Sequence, residues 1–149
     1  MKMEIGDKLL NNLFSFTKIL GGLMAEMINS VDSVTPKVHI GVLHILKIHG
    51  PMPISRIGEK MDIAKPNMTQ IIDSLSIKGW VKRNSSAQDR RIINVELTGE
   101  GKEYIESVMN RIYEEMMQRF SVLSEEEREK VIGSLDYLIG ISKDIMNKK

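Results

Sequence analysis

Residues 64–97 read AKPNMTQIIDSLSIKGWVKRNSSAQDRRIINVEL, and this stretch decides the fold. Met68, Ile71, Ile72 and Leu75 recur at i, i+3, i+4 and i+7, so the spacing predicts a short helix with one apolar stripe. The opposite face carries Pro66, Asn67, Gln70, Asp73 and Ser74, small or polar residues free to meet a partner. Lys78-Gly79 ends the helix, because glycine accepts the left-handed backbone found after a last turn. Two strand-like runs follow, 80–83 and 92–97. In the second, Ile93, Val95 and Leu97 alternate with Asn94 and Glu96, the period of a half-buried strand. Between the runs lies NSSAQDRR, a polar hairpin tip with two adjacent arginines. A helix fits a major groove, and arginine suits phosphates and a narrow minor groove, so a polar helix beside a basic hairpin suits DNA.

Upstream, residues 7–30 predict a first helix in which Leu9, Leu10, Leu13, Phe14, Phe16, Ile19, Leu20, Leu23, Met24, Met27 and Ile28 cover more than one face. A surface helix needs only one apolar stripe, so the excess predicts contact with a second subunit as well as with its own chain. Thr35-Pro36 predicts the start of a second helix, threonine capping the free amides and proline taking the first helical position. Val38, Val42, Ile45, Leu46 and His49 form its expected inner face, and His49-Gly50-Pro51 stops it. Residues 52–54 suit a short strand beside the hairpin. Ser55 is the expected cap of a third helix, 56–61, with 62–65 as the turn of a helix-turn-helix. Downstream, Thr98 is read as the cap of a long helix to about residue 122. Ser124 and Glu127 form a capping box that starts a last helix.

Composition narrows the function classes. The chain has 149 residues, enough for one domain with a real core. Eleven methionines and only seven aromatic residues (three Phe, three Tyr, one Trp) leave that core to aliphatic side chains, with methionine as flexible filling at helix interfaces. The absence of cysteine excludes disulfides, thiolate metal sites and thiol redox sensing, and fits a cytoplasmic protein. No long apolar run marks a signal peptide or a membrane span. Net charge is only +1, but its distribution is uneven. Residues 55–91 hold eight basic and four acidic side chains, and residues 92–149 hold eight basic and twelve acidic ones. Basic charge gathers where the proposed DNA-reading elements lie.

Neither catalysis nor a metal finds support. There is no glycine-rich phosphate loop, HExxH or GxSxG, so no enzyme and no cofactor is expected. His39, His44 and His49 lie five residues apart on one helix, a rotation of about 500°, so neighbours do not share a face and a three-histidine metal site is not expected.

The order of helix, KGWVKR, polar tip, DRR and IINVELTGEG resembles the winged helix-turn-helix of the MarR family of bacterial transcription regulators. The flanking helices fit in number and order, so the resemblance covers nearly the whole chain. It implies a mainly α fold with a small β wing: one MarR-type domain over 1–149, with a DNA-binding lobe at about 35–97 and dimerisation helices at about 5–30 and 99–147. It implies a homodimer on double-stranded, pseudo-palindromic DNA. It also implies a repressor released by a small, often aromatic or phenolic, effector bound between the dimer helices and the lobe. Phe14, Ile40, His44 and Met109 are the candidates for that pocket. The family's wing signature of Asp and Arg maps onto Asp89 and Arg91, with Asp89 orienting the arginine by a charge-assisted hydrogen bond.

From the residues themselves, Asn67 and Gln70 are the base-reading candidates, because amide side chains pair two-pointed with adenine. Thr69 and Ser74 are placed at phosphate or in local caps. Lys65 and Pro66 stand at the helix start, where free amides favour an anion. Arg90 and Arg91 are the minor-groove candidates, and Lys82 and Arg83 the phosphate candidates at the wing base. The alternative is a winged-helix module that binds a protein partner instead of DNA.

Overall fold

The computed structural model describes residues 2–85 and 93–147. The chain forms two compact units, Met1–Ile112 and Tyr113–Lys149. In the first, α1 (Lys2–Val31) leads to α2 (Lys37–His49), a two-residue strand β1 (Met52–Pro53), α3 (Ile54–Met61) and α4 (Lys65–Ile77). The hairpin strands β2 (Val81–Ser85) and β3 (Ile93–Leu97) follow. Helix α5 (Gly99–Arg119) then runs from the first unit into the second, which continues with a 3₁₀ turn (Phe120–Val122) and α6 (Glu125–Asn147).

The apolar stripe of α4 is the keel of the core. Met68, Ile72 and Leu75 are fully buried, and Ile71 is half-buried. They pack in one cluster with Ile40, Val42, Leu43 and Leu46 of α2, Ile57 of α3, Val95 and Leu97 of β3, and Ile105 and Val108 of α5. The sheet is antiparallel with order β1-β3-β2. Met52 pairs with Val95, and the hairpin register runs from Val81 opposite Leu97 to Ser85 opposite Ile93. The period-two reading of β3 holds for Val95 and Leu97. Ile93, at the outer end of the hairpin beyond the reach of β1, is 48% exposed.

The helix-turn-helix turn is made as its residue types suggest. Asp62 adopts the left-handed conformation with φ 53°, which Asp tolerates better than most side chains. The Ile63 amide donates back to the Gly58 carbonyl at 2.9 Å. At the other end of α4, Gly79 has φ +73° and the Trp80 amide donates to the Leu75 carbonyl.

Two expected caps are not formed. The residue before α2 is Pro36, whose extended backbone begins the helix with no side-chain cap, and the Thr35 hydroxyl is occupied elsewhere. Similarly Pro53, not Ser55, precedes α3, which starts two residues earlier than expected. On α2 the inner face is wider than expected: Val42 and Leu46 are buried as read, Val38 and Ile45 are half-buried, His39, Ile40 and Leu43 are buried as well, and His49 is exposed. Two other caps form as read. The Thr98 hydroxyl accepts the Gly101 amide at 3.0 Å. In the second unit Ser124 and Glu127 exchange bonds, the Ser124 amide donating to the Glu127 carboxylate at 2.8 Å and the Glu127 amide to the Ser124 hydroxyl at 3.3 Å.

Most of α1 and most of α6 keep their apolar side chains in solvent, Val131 and Leu135 of α6 being half-buried. Met27 and Val31 are buried, whereas Leu9, Leu10, Leu13, Phe14, Ile19 and Met24 are exposed. No residue of α6 is buried, and Tyr137, Ile139, Ile141 and Ile145 stand open. Among the described residues no helix is long and apolar enough to cross a membrane.

The junction of the wing and α5 depends on Gly101. A Cβ built there would lie 1.9 Å from the Trp80 carbonyl oxygen and 2.8 Å from its carbon, both backbone atoms with little room to move. Gly101→Ala is expected to destabilise the protein by about 1–3 kcal/mol or more through overpacking. Urea unfolding checks this: the midpoint falls, and an unchanged midpoint would show that the contact relaxes freely.

Candidate DNA-binding surface

Because α4 buries Met68, Ile72 and Leu75, its helical period turns Lys65, Pro66, Asn67 and Gln70 outward, and all four are exposed. Ala64 before the helix supplies no side-chain cap, and Pro66 has no amide. The first turn therefore presents free amides beside the Lys65 ammonium, an arrangement that attracts anions. Thr69 and Ser74 are half-buried. The Thr69 hydroxyl donates to the Lys65 carbonyl at 2.9 Å, so it serves its own helix. Asp89, Arg90 and Arg91 lie outside the described residues.

Ion pairs organise the base of the hairpin. Lys82 and Glu96 face each other across the β2–β3 ladder, and the ammonium reaches the carboxylate at 2.8 Å. Asn84 donates to the same carboxylate at 2.6 Å. The hydrogen bond from Lys82, first, holds the Glu96 carboxyl below the usual carboxylate range. Arg83, expected at phosphate, donates to the Asp73 carboxylate of α4 at 2.5 Å, so it joins hairpin to helix.

A second network lies behind this surface. The Trp80 ring stacks on Tyr104 of α5, with centroids 3.9 Å apart and planes within 12°. The Lys78 ammonium sits 4.6 Å over the Trp80 ring, and cation–π attraction favours this. The Tyr104 hydroxyl reaches Asp32 and lies 2.8 Å from the Thr35 hydroxyl. The other oxygen of Asp32 accepts the Val34 and Thr35 amides at 2.9 and 2.8 Å, closing the turn between α1 and α2. The Tyr104 hydrogen bond, above all, holds the Asp32 carboxyl well below the usual carboxylate range. Burial, reinforced by Asp32, pushes the Tyr104 phenol up to about 12. The sequence reading missed this node. Tyr104 fitted a generic helical stripe, and nothing local pairs it with residues some 70 positions away.

The proposed effector residues take different positions. Phe14 is 67% exposed, His44 and Met109 are half-buried, and Ile40 is closed into the core. None of them lines the cleft of about 410 Å³ between the end of α2, β3 and α5, whose walls include Leu46, Lys47, Pro51, Glu96 and Lys102. The Nδ1 atoms of His39 and His44 are buried without a hydrogen-bond partner. Burial first, then the nearby Lys78 or Lys47, pulls each imidazole pKa down. Among the described residues no group of three His, Asp or Glu is placed to hold a metal ion.

A helix-turn-helix whose second helix shows a polar outer face beside a three-stranded wing defines the winged-helix class of DNA-binding proteins. The comparisons with known proteins narrow the class. A MarR family model matches residues 37–93. The HTH-type transcriptional repressor MdtR of Bacillus subtilis (strain 168) is 32% identical over 128 residues, covering 84% of this chain and 82% of that protein. The HTH-type transcriptional regulator MhqR of the same organism is 33% identical over 107 residues, or 72% and 74% of the two chains. The structure of a MarR family protein from Bacillus stearothermophilus superposes with a TM-score of 0.81 over 92% of this chain and 97% of that one, a likeness of fold at 16% identity. The chain belongs to the MarR family, and it is a DNA-binding transcriptional regulator.

The Asp32–Tyr104 node carries a pH signature. A depressed carboxyl stabilises the fold above its unfolded value near pH 4, and that contribution is lost as pH falls below it. A raised phenol stabilises the fold below about pH 10 and loses its contribution as pH climbs toward 12. Tyr104→Phe is expected to lower stability by about 1–3 kcal/mol, because one oxygen of a partly buried carboxylate loses its hydroxyl donor while the other keeps the Val34 and Thr35 amides. It should also flatten both pH arms, which urea midpoints measured from pH 3 to 11 will show. The buried imidazoles give a separate check. In a proton NMR titration His39 and His44 should titrate below the ordinary histidine value near 6.5, and a value at or above it would contradict their desolvation.

Proposed function

We propose that this regulator is a cytoplasmic homodimeric repressor that binds a pseudo-palindromic operator through α4 and the wing and leaves it when a small aromatic or phenolic effector binds. The observation that carries the reading is the outer row of α4, Lys65, Asn67 and Gln70, exposed beside the hairpin and fixed by a buried stripe on the other side. The uncovered apolar faces of α1 and α6 support the dimer, since such faces in water mark an interaction surface. The whole chain then acts as a single MarR-type unit, with residues 35–97 as its DNA-binding lobe and 5–30 and 99–147 as its dimerisation helices. Two recognition helices enter successive major grooves about 34 Å apart. In this assignment Asn67 and Gln70 read bases, Lys65, Pro66 and Ser74 follow the DNA backbone, and Thr69 braces the first turn of α4. Arg83 stands at the wing base, and Asp89 steers Arg90 and Arg91 toward the minor groove.

The effector needs only to bind the non-operator arrangement of the lobes better than the operator-ready one. A coupling of about 1–3 kcal/mol weakens DNA binding roughly 5- to 150-fold. Phe14, His44 and Met109 are its proposed contacts, with Ile40 behind them.

Genomic footprinting with the purified protein, alone and with a panel of phenolic compounds, tests the proposal. It should reveal discrete sites with two-fold symmetry that fade with an effector. Scattered footprints without symmetry would refute it. On such a site, Asn67→Ala or Gln70→Ala should cost about 1–3 kcal/mol of discrimination at one base pair per half-site. Arg91→Ala should weaken operator binding, and unchanged affinity would turn the reading toward a protein partner.

A further inference from the structure

Helix α4 holds two charged side chains, Lys65 at its start and Asp73 near its end. Asp73 is exposed on the outer side, three residues beyond Gln70, and a carboxylate there repels phosphate. Its partner is Arg83, 2.5 Å away on β2, and the side chains are 50% and 36% exposed. The backbone of Arg83 is itself anchored, because its ladder partner is Val95, fully buried on the central strand. The guanidinium therefore runs from the rigid part of the hairpin to the outer edge of the recognition helix. Lys82 is committed in the same way to Glu96.

We propose that Asp73 is a specificity-setting positioning residue: by holding Arg83 it fixes the wing to the recognition helix and withholds that cation from indiscriminate phosphate contact. The inference rests on the DNA-binding reading of α4 and the wing. Bound to Asp73, Arg83 contributes direction instead of free charge. A duplex that does not match the pair's fixed geometry meets a neutralised patch and gains little.

The test compares a footprinted operator duplex with a scrambled duplex of equal length, titrated across a range of salt concentrations with the full-length protein. In Asp73→Asn, Arg83 is released. Affinity for the scrambled duplex should rise several-fold, the slope of log affinity against log salt on that duplex should steepen by about 0.9, and the operator-to-scrambled ratio should fall. Asp73→Glu, which keeps the carboxylate, should retain the wild-type ratio. In an Arg83→Gln background, Asp73→Asn should no longer steepen the slope, because the gain belongs to Arg83.

Three results overturn the proposal: an unchanged slope in Asp73→Asn, an equal loss on both duplexes that tracks a lowered melting temperature, or a loss confined to one base pair, which would make Asp73 a direct base reader. A wild-type protein that binds neither duplex would instead remove the DNA-binding reading, and this inference with it.

Discussion

The peptide of Trp80 and the first turn of α5 occupy space that only glycine leaves open, and much of the first unit is arranged by that closeness. With Gly101 against the Trp80 carbonyl, the Thr98 amide donates to the same carbonyl at 3.1 Å and the Thr98 hydroxyl to the Gly79 carbonyl at 2.6 Å. The indole is then delivered onto Tyr104, whose hydroxyl reaches Asp32 and Thr35. The end of α4, the entry to the wing, the start of α5 and the turn between α1 and α2 thus meet at one place. A bulkier residue at 101 would have to part these segments before the side chains could find one another.

The recognition helix is consequently held from three directions. Its apolar stripe is sunk among α2, α3, β3 and α5, and burial of such side chains contributes about 1.5–3 kcal/mol each. Its C-terminal end is locked by Gly79 and Trp80, and its outer edge is tied to β2 through Asp73. Exposed ion pairs such as Arg83–Asp73 add little stability, with a median of about 0–1 kcal/mol. Their effect here is geometric, since they settle which way the side chains at the hairpin base point.

Sequence legibility followed the distance over which each feature acts. The stripe of α4, the glycine at its end, the Thr98 cap and the Ser124–Glu127 box are patterns complete within a few residues, and each is found where it was read. The wing was visible as alternation in β3, although β2 extends two residues beyond the expected run, to Ser85. Thr35 and Ser55 show the limit of local rules. Both have the chemistry of a cap, but a neighbouring proline starts each helix, and Thr35 is engaged by a tyrosine that local spacing does not connect to it. Arg83 was legible as a cation near DNA but not as the partner of Asp73, because ten residues and a turn separate them. A helical pocket leaves no periodic trace, so the effector residues had no signature beyond the family resemblance.

The described part of the hairpin gives the core Val81, Val95 and Leu97, while Asn84, Ser85 and Ile93 at its outer end are exposed. On β2 burial ends at Val81 and on β3 it reaches outward to Val95, opposite Arg83, and the register is pinned by Lys82, Asn84 and Glu96. Ser85 and Ile93, outside that core, can therefore change in character at little cost to how the lobe folds. Descendants of this gene can vary these outer strand positions while inheriting intact the frame that carries them.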